Sequence, residues 1–469
     1  MGQDISKAFT PPPLTFRDCL IDGRIDVAKY MIYSQSIIEE ETLDIEEFSN
    51  TNKRKCYDQD SVTSSNKKAR STKRFPILCR ADDGSIREAT FEDSTWYRLY
   101  IQVPPVGKRL LKIFRKRFRI PYSEFVSMCN DIKKNELFER WAFTDAVGVK
   151  PSDIRLLLLG TLRYLGRAHT FDDASEATYI SADVHRVFLM AFLEYGSTVL
   201  YAKYVLTPLK TMDSKRIEKL FRIAGFNGCH GSSDGTHIGL LSCPSWAFNN
   251  HKGFKLGVPS RNYNATVTHC KQILGTTFGH PGTWNDKTLV LFDELIKSVH
   301  DGKLMKDKEF ELFELDKDGN LVSILYSGVW FLVDNGYLDW STTVPPMKHP
   351  LTYEEIRFSE WLESMRKDIE CTFGIMKQRF HVLKYGIRLH KISNSDKVWS
   401  TCCALHNMLL FIDGLDDGWD ETTQDKSRLK IDIPFSMQRL NRHDDDEVIR
   451  KGTEYPEVFL INTQRMEKE

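Results

Sequence analysis

The sequence carries no net charge: 65 Lys and Arg balance 65 Asp and Glu. That excludes a global electrostatic attraction to a polyanion, so any surface for nucleic acid must be a local patch balanced by acidic segments elsewhere. Cysteine at metal-ligand spacing is also missing. Ten cysteines are present, none of them in a CxxC pair, and Cys402 and Cys403 are simply adjacent. A zinc or disulfide framework is therefore not expected, and the thiols read as reduced in an intracellular protein. The N-terminus has no charged stretch leading into an apolar one, so no secretory signal is expected. Nor does any apolar run approach the length of a membrane span, Leu156 to Leu159 being a short example, which argues against a membrane partner. What is there is a chain of 469 residues, 41% of them hydrophobic, enough for two or three domains with sizeable cores.

Composition changes along the chain. Residues 1–90 read as largely disordered. An acidic run (Glu39, Glu40, Glu41, Asp44, Glu46, Glu47) precedes a polar, serine-rich stretch poor in apolar residues. Two basic clusters stand in that stretch, Lys53, Arg54, Lys55 and then Lys67, Lys68, Arg70, followed by Lys73 and Arg74. Their separation by a polar spacer fits a bipartite nuclear import signal; a solvated linker is the plainer reading. A second basic segment runs from Lys108 through Arg109, Lys112, Arg115, Lys116 and Arg117 to Arg119, with Leu110 or Leu111, Phe114 and Phe118 at helical spacing and Pro121 at its end. One face of such a helix can dock while the other offers cations to DNA phosphates; a solvated helix face is the alternative.

Residues 91–205 read as helical. One helix is expected through Ile154, Leu157, Leu158 and Leu162 up to Gly166, a short element around 172–177, and a helix capped by Ser181. That succession fits a helix-turn-helix with His185 and Arg186 as its DNA donors, or equally a plain helical bundle. From Gly228 the pattern changes. Strands are expected at 263–269 and 272–278, a helix at 288–299, a hairpin at 309–326, a buried strand at 329–333 and a long amphipathic helix at 353–380. That helix carries Phe358, Trp361, Met365, Ile369, Phe373, Met376 and Phe380 on one stripe, and a last apolar helix follows at 398–410. The tail from 413 to 469, including the acidic 444–447, reads as loose. Strands mixed with helices make the core α/β.

Three acids stand in contexts that suit metal-assisted phosphodiester chemistry. Asp234 lies in Ser-Ser-Asp-Gly-Thr-His-Ile and Asp334 in Val-Trp-Phe-Leu-Val-Asp-Asn-Gly-Tyr, both read as strand ends. Glu370 rides on the long helix. Hard oxygen ligands on rigid elements are what a two-metal site needs, and such a cluster is stable only when cations offset its mutual repulsion. Asp286, just ahead of a helix, is a fourth metal candidate, or else that helix's cap. Arg366 lies one turn before Glu370, Gly374 one turn after it and Lys377 a further turn on. With Arg379 these cations could hold DNA phosphates, or simply pair with Glu363 and Asp368. His237 could position a nucleophilic water or be a structural histidine.

Five motifs in order, Asp-Gly-Thr-His-Ile, Pro-Gly-Thr-Trp-Asn-Asp, Val-Asp-Asn-Gly-Tyr, Glu-Cys-Thr-Phe-Gly-Ile-Met-Lys-Gln-Arg-Phe and Cys-Cys-Ala-Leu-His-Asn-Met, together resemble the PIF/Harbinger DDE transposases and the nucleases derived from them. The resemblance covers residues 228–412 and extends weakly to the helical segment before them. It implies an RNase H-like catalytic core, a mixed sheet flanked by helices, behind an all-helical domain that could hold a helix-turn-helix. It implies Mg²⁺ or Mn²⁺ and cut-and-paste transposition in the nucleus. The catalytic acids fall on Asp234, Asp334 and Glu370, with a metal-binding Asp at Asp286. It further implies double-stranded DNA (transposon ends and target) as substrate, a Myb-like DNA-binding partner protein, and room for a homo-oligomer. The departure is the hairpin at about 307–326, which lengthens the stretch between Asp286 and Asp334 and makes the family's loop geometry an unsafe guide. Two other readings stand beside the active transposase: a domesticated descendant that binds without cutting, and a metal-dependent phosphohydrolase of small molecules.

Overall fold

The computed structural model describes residues 78–80, 83–142, 151–206, 214–253, 255–317, 320–338 and 340–415. The chain divides into two units, Met1–Pro76 and Ile77–Glu469, and all described residues belong to the second. The expected import signal at 53–74 and the tail beyond 415 lie outside the described residues.

A small antiparallel hairpin, β1 (Leu78–Arg80) and β2 (Ile86–Glu88), comes first. The helices α1 (Gly107–Phe118) and α2 (Tyr122–Lys133) follow, then α3 (Ile154–Arg167), α4 (Phe171–Thr178) and α5 (Ala182–Tyr195). Local chemistry sets their ends. Asp153, Thr170 and Ser181 each accept a backbone N–H at the start of α3, α4 and α5. Arg119, Ala168 and Tyr179 turn left-handed to close α1, α3 and α4. α3 buries Leu156 to Leu159 and Leu162, and α1 buries Phe114 and Phe118 while leaving Leu110 and Leu111 exposed. After α5 the chain continues in π-helical turns at Gly196–Leu200 and Ala202–Leu206.

α6 (Ser214–Ile223) leads into the main sheet. Its strands are β3 (Cys229–Gly239), β4 (Ser260–Val267), β5 (Ile273–Thr276), β6 (His280–Pro281), β9 (Trp330–Leu332) and β10 (Thr343–Val344). The order is β10-β9-β3-β4-β5, with β6 also on β4. β10, β9 and β3 are parallel; β4 runs antiparallel to β3, β5 and β6, so the sheet is mixed. The hairpin β7 (Glu309–Leu315) and β8 (Leu321–Ser327) forms where expected, apart from the sheet. Short helices α7 (Phe248–His251), α8 (Asp286–Val290) and α9 (Glu294–His300) fill the connections. α10 (Tyr353–Arg379), α11 (His381–Tyr385) and α12 (Ile392–Ile412) end the described chain.

Helices flank both sheet faces, and β9 shows why its residues are all apolar. Trp330 and Leu332 point into a cluster with Phe358, Leu362 and Met365 of α10. Val329, Phe331 and Val333 point the other way, to Leu295, Ile296 and Val299 around α9. A strand covered on both faces reads as a continuous apolar run. The helical segment packs directly onto α12: Lys397 pairs with Glu194 at 2.7 Å, and Asn407 donates to the Tyr204 carbonyl at 2.9 Å. Among the described residues no helix is long and apolar enough to cross a membrane.

Three expectations need correction. Asp234 is not at a strand end but in the middle of the 11-residue β3. The helix expected at 288–299 is two helices, because Asp293 breaks it and caps α9 by accepting from Ile296 N at 3.0 Å. His185, offered as a DNA donor, is buried and lies 2.7 Å from Thr178 Oγ1.

Candidate functional site: a carboxylate cluster on the sheet

Register places the first two acids. β3 and β9 are parallel, and Ser232 pairs with Leu332. Side chains alternate along a strand. Two residues beyond that pair, Asp234 and Asp334 therefore continue the face on which Leu332 meets α10. Asp334 turns the chain: its Oδ1 accepts from Gly336 N at 2.5 Å and its carbonyl from Tyr337 N at 3.3 Å. Asp234 Oδ1 accepts from Gly235 N at 2.8 Å.

Asp286 comes from the opposite direction. Asn285, not Asp286, caps α8, accepting from Thr288 N at 2.9 Å, which leaves the Asp286 carboxylate unused by the helix start. A Cβ built on Gly235 would stand 3.0 Å from Asp286 Oδ1. One built on Gly336 would stand 3.1 Å from Asp286 Oδ2 and 2.8 Å from Asp334 Oδ1. Two glycines thus let the Asp286 carboxylate settle against β3 and the Asp334 turn.

Glu370 arrives on α10. A capping box opens this 27-residue helix, with Thr352 accepting from Glu355 N and the Glu355 side chain accepting from Thr352 N. Met365, Ile369, Phe373 and Met376 anchor it. Its polar side then carries Arg366 across the gap: Nη1 lies 3.1 Å from Asp234 Oδ2, and Nη2 lies 3.4 Å from Glu370 Oε1. Lys377 adds a second tie, donating to Thr236 Oγ1 at 2.9 Å. The helix acid and the strand acid therefore share one guanidinium.

Electrostatics follow from this crowding. Burial pushes Asp234 up to about 6; Arg366 opposes the shift, while Asp334 and Asp286 add to it. Asp286 is raised too, by burial first, with Lys255 opposing and Asp334 adding. His237, one turn of the pleat beyond Gly235, is buried with Nδ1 3.3 Å from Ser260 Oγ, and its Nε2 has no partner among the described residues. Burial lowers it to about 4, helped by Lys255 and Lys377.

The donors are carboxylate oxygens, the right chemistry for a hard divalent cation. Among the described residues, however, no three His, Cys, Asp or Glu side chains stand close enough to close around one ion. Arg366 lies between Asp234 and Glu370 instead.

The remaining basic residues separate into two groups. Lys108, Arg109, Lys112 and Lys116 are exposed along α1, whereas Arg115 is engaged by Asp413 at 2.6 Å. Arg379 turns inward rather than toward a ligand, its Nη1 3.2 Å from His406 Nδ1; burial lowers it to about 10. Reading the sequence missed a second tier behind the acids. The Tyr337 hydroxyl donates to Asn264 Oδ1, and Asn264 Nδ2 donates to Asp293 Oδ2 at 2.6 Å, all three buried. Two asparagines at alternate positions of a buried strand, Asn262 and Asn264, were its signal. Asp368, read from the sequence as a surface partner for the cations of α10, is instead buried between His269 and Lys271.

No curated protein and no solved structure matches the chain. Residues 202–415, the span that carries all four carboxylates, match the family model described as plant transposon protein, which supports a transposase-related family for this segment.

Proposed function

We propose that the chain is a transposase-derived DDE nuclease, similar to the PIF/Harbinger enzymes, that cuts and joins DNA phosphodiester bonds on an RNase H-like core. The observation that carries this reading is the shared guanidinium of Arg366, which draws Glu370 of α10 toward Asp234 of β3. Asp234, Asp286, Asp334 and Glu370 would hold Mg²⁺ or Mn²⁺ by drawing closer than they stand here, where no three of them surround one point. Such ions, when bound, supply Lewis-acid polarisation of a phosphoryl oxygen and a more acidic water. The chain's own residues do the rest. Asp234 projects from β3 and Asp334 from the turn just after the parallel β9, so the sheet sets where both stand. Lys377 and the apolar stripe of α10 hold Glu370 over them. Arg366 keeps Asp234 and Glu370 together, and it would have to move aside for a metal ion to sit between them. The exposed cations of α1 are available to the backbone of double-stranded DNA, at transposon ends and target. Nuclear import through 53–74, a Myb-like partner and homo-oligomerisation complete the proposal.

A second reading, a domesticated DNA-binding descendant, draws on the same Arg366 bridge, since the guanidinium occupies the position between the carboxylates. Supercoiled plasmid separates the two readings. The nuclease should nick it with Mg²⁺ or Mn²⁺, and Asp334→Asn should abolish nicking while leaving DNA binding nearly intact. Wild-type protein that binds but never nicks would leave only the domesticated reading. Nicking that survives Asp334→Asn would remove Asp334 from the site.

A further inference from the structure

A second concentration of charge lies away from the carboxylates, where two helices end together. α1 closes at Arg119, which adopts a left-handed φ of 70° although it is not glycine, and α3 closes at Ala168 with φ 53°. These turns bring Arg119 onto α3. Its Nε lies 3.4 Å from the Gly166 carbonyl, and a Cβ on Gly166 would stand 2.6 Å from Arg119 Cγ. Arg119 Nη2 also lies 3.5 Å from His381 Nε2 on α11. Arg163, one turn earlier on α3, is held over the Trp96 and Phe118 rings at 5.9 and 6.0 Å, and its Nη2 lies 3.1 Å from His169 Nε2.

These cations have little to neutralise them. Among the described residues no carboxylate pairs with Arg119, Arg163 or Arg167. Asp173, whose charge partly offsets the repulsion at Arg163, stands 4.0 Å from His169 and is committed to Thr170 at the start of α4. Arg163 Nε and Arg167 Nε are buried donors with no acceptor among the described residues. Burial lowers Arg119 and Arg163, and each is lowered further by its neighbouring arginines. Burial, with the arginines adding to it, lowers His169 and His381 as well. Helix C-terminal carbonyls favour such cations but supply only about half a charge each. Arg163 Nη1 is spent on the Arg117 carbonyl at 3.3 Å, but half-buried guanidiniums with repulsive neighbours and no counter-ion among the described residues still favour an anion at their open edges.

We propose that Arg119, Arg163 and Arg167, with His169 and His381 beside them, form a crevice that grips a backbone phosphate of DNA. It rests on the preceding reading for the identity of the polyanion, and it adds a grip on the duplex that the exposed face of α1 does not provide. The crevice is joined rigidly to the carboxylates. His381 follows directly on the helix that carries Glu370, and Ile387 bridges Leu240 at the end of the strand that carries Asp234. A phosphate held there would fix the duplex relative to the acids.

The test is duplex-DNA affinity over a salt series for wild type, Arg119→Gln/Arg167→Gln and Arg119→Lys/Arg167→Lys. Each phosphate that the protein ceases to neutralise should reduce the slope of log affinity against log salt by about 0.9, so the glutamine pair, which releases the one phosphate held here, should fall by about 0.9. The lysine pair keeps the charge and should stay near the wild-type slope. The glutamine pair should also melt no lower than wild type at low salt, because it relieves repulsion. A wild-type slope in the glutamine pair overturns the proposal, as does an equal fall in the lysine pair, or a wild type that does not bind duplex DNA. Sulfate that raises the wild-type melting temperature but not that of the glutamine pair, with the DNA slope unchanged, would assign the crevice to a small anion and overturn the DNA assignment. Plasmid nicking is scored in parallel. A reduced slope in a protein that never nicks refutes the nuclease reading alone, and nicking with an unchanged slope refutes this proposal alone.

Discussion

Replacing Asp368 tests how α10, and with it Glu370 and Arg366, is held to the sheet. Asp368 Oδ1 lies 2.5 Å from Lys271 Nζ, and Oδ2 lies 2.8 Å from His269 Nδ1. The Asp368, Lys271 and His269 side chains are only 2%, 4% and 6% exposed. Lys271 Nζ also donates to the His269 carbonyl at 2.8 Å, and the Lys271 carbonyl lies 2.9 Å from His406 Nε2, so α10, α12 and the β4–β5 turn share one polar cluster. Asp368→Asn removes the charge but not the volume and leaves the Lys271 ammonium buried without its counter-ion. Breaking a buried pair in this way costs about 3–5 kcal/mol. Guanidinium unfolding followed by tryptophan fluorescence should show that loss at pH 7, and high salt should not remove it, since buried pairs are screened little. Asp368→Leu/Lys271→Met, which removes both charges, should recover most of it. The pH dependence has a definite sign. The His269 and Lys271 charges outweigh burial and hold the Asp368 carboxyl below its usual value, so its stabilisation is present above the unfolded-state value of about 3.9 and is lost as pH falls through the lower folded value. The acid limb of the stability curve should therefore be steeper in wild type than in Asp368→Asn. A single substitution that unfolds within about 0.5 kcal/mol of wild type would refute the clasp.

Asp234→Asn should stabilise the metal-free protein. Burial raises Asp234 from 3.8 to about 6, so the unfolded chain binds fewer protons across that window, and wild-type stability falls as pH rises from about 4 to 6. The variant should gain about 1–3 kcal/mol at pH 7, fading toward pH 4, as seen by thermal melts; a loss at pH 7 contradicts the assigned crowding. Gly336→Ala should destabilise by about 1–3 kcal/mol and reduce any nicking, because its Cβ would meet Asp334 Oδ1 at 2.8 Å; an unchanged melting temperature would mean the turn relaxes. Asn407→Ala should cost about 2–4 kcal/mol in chemical denaturation, since Asn407 accepts from Ile273 N and donates to the Ile273 and Tyr204 carbonyls, leaving buried backbone groups unmet; a cost below about 1 kcal/mol would mean water replaces it. Replacing Lys67, Lys68 and Arg70 with alanine should leave a tagged protein cytoplasmic; undiminished nuclear accumulation would place the signal elsewhere.

Much of the local structure was legible because short-range chemistry dictates it. Ser181 ahead of its helix marks a helix start by a bond that closes within three residues. The all-apolar run into Asp334 announced a strand covered on both faces, and the alternating segments about Asp318 announced a hairpin. The four acids could be picked out by their flanking residues. Their arrangement could not. β3 is built from Cys-His-Gly-Ser-Ser-Asp-Gly-Thr-His-Ile-Gly, a run of low strand propensity, and it is a strand because β4 and β9 pair with it on either side. Its length, and hence Asp234's place in mid-strand, was set by partners distant in the chain. The same holds for the cations. On the sequence, Arg366, Arg379 and Arg119 are alike; in the fold, Arg366 bridges two acids, Arg379 turns to His406, and Arg119 joins a crevice without a counter-ion among the described residues. A charged side chain's role depends on which charges the fold brings within a few ångströms and how much water it removes between them. Sequence alone marked some helix starts, such as the one capped by Ser181, and which acids were available; tertiary structure decided which charges meet, because Coulomb and desolvation energies depend on separation in space.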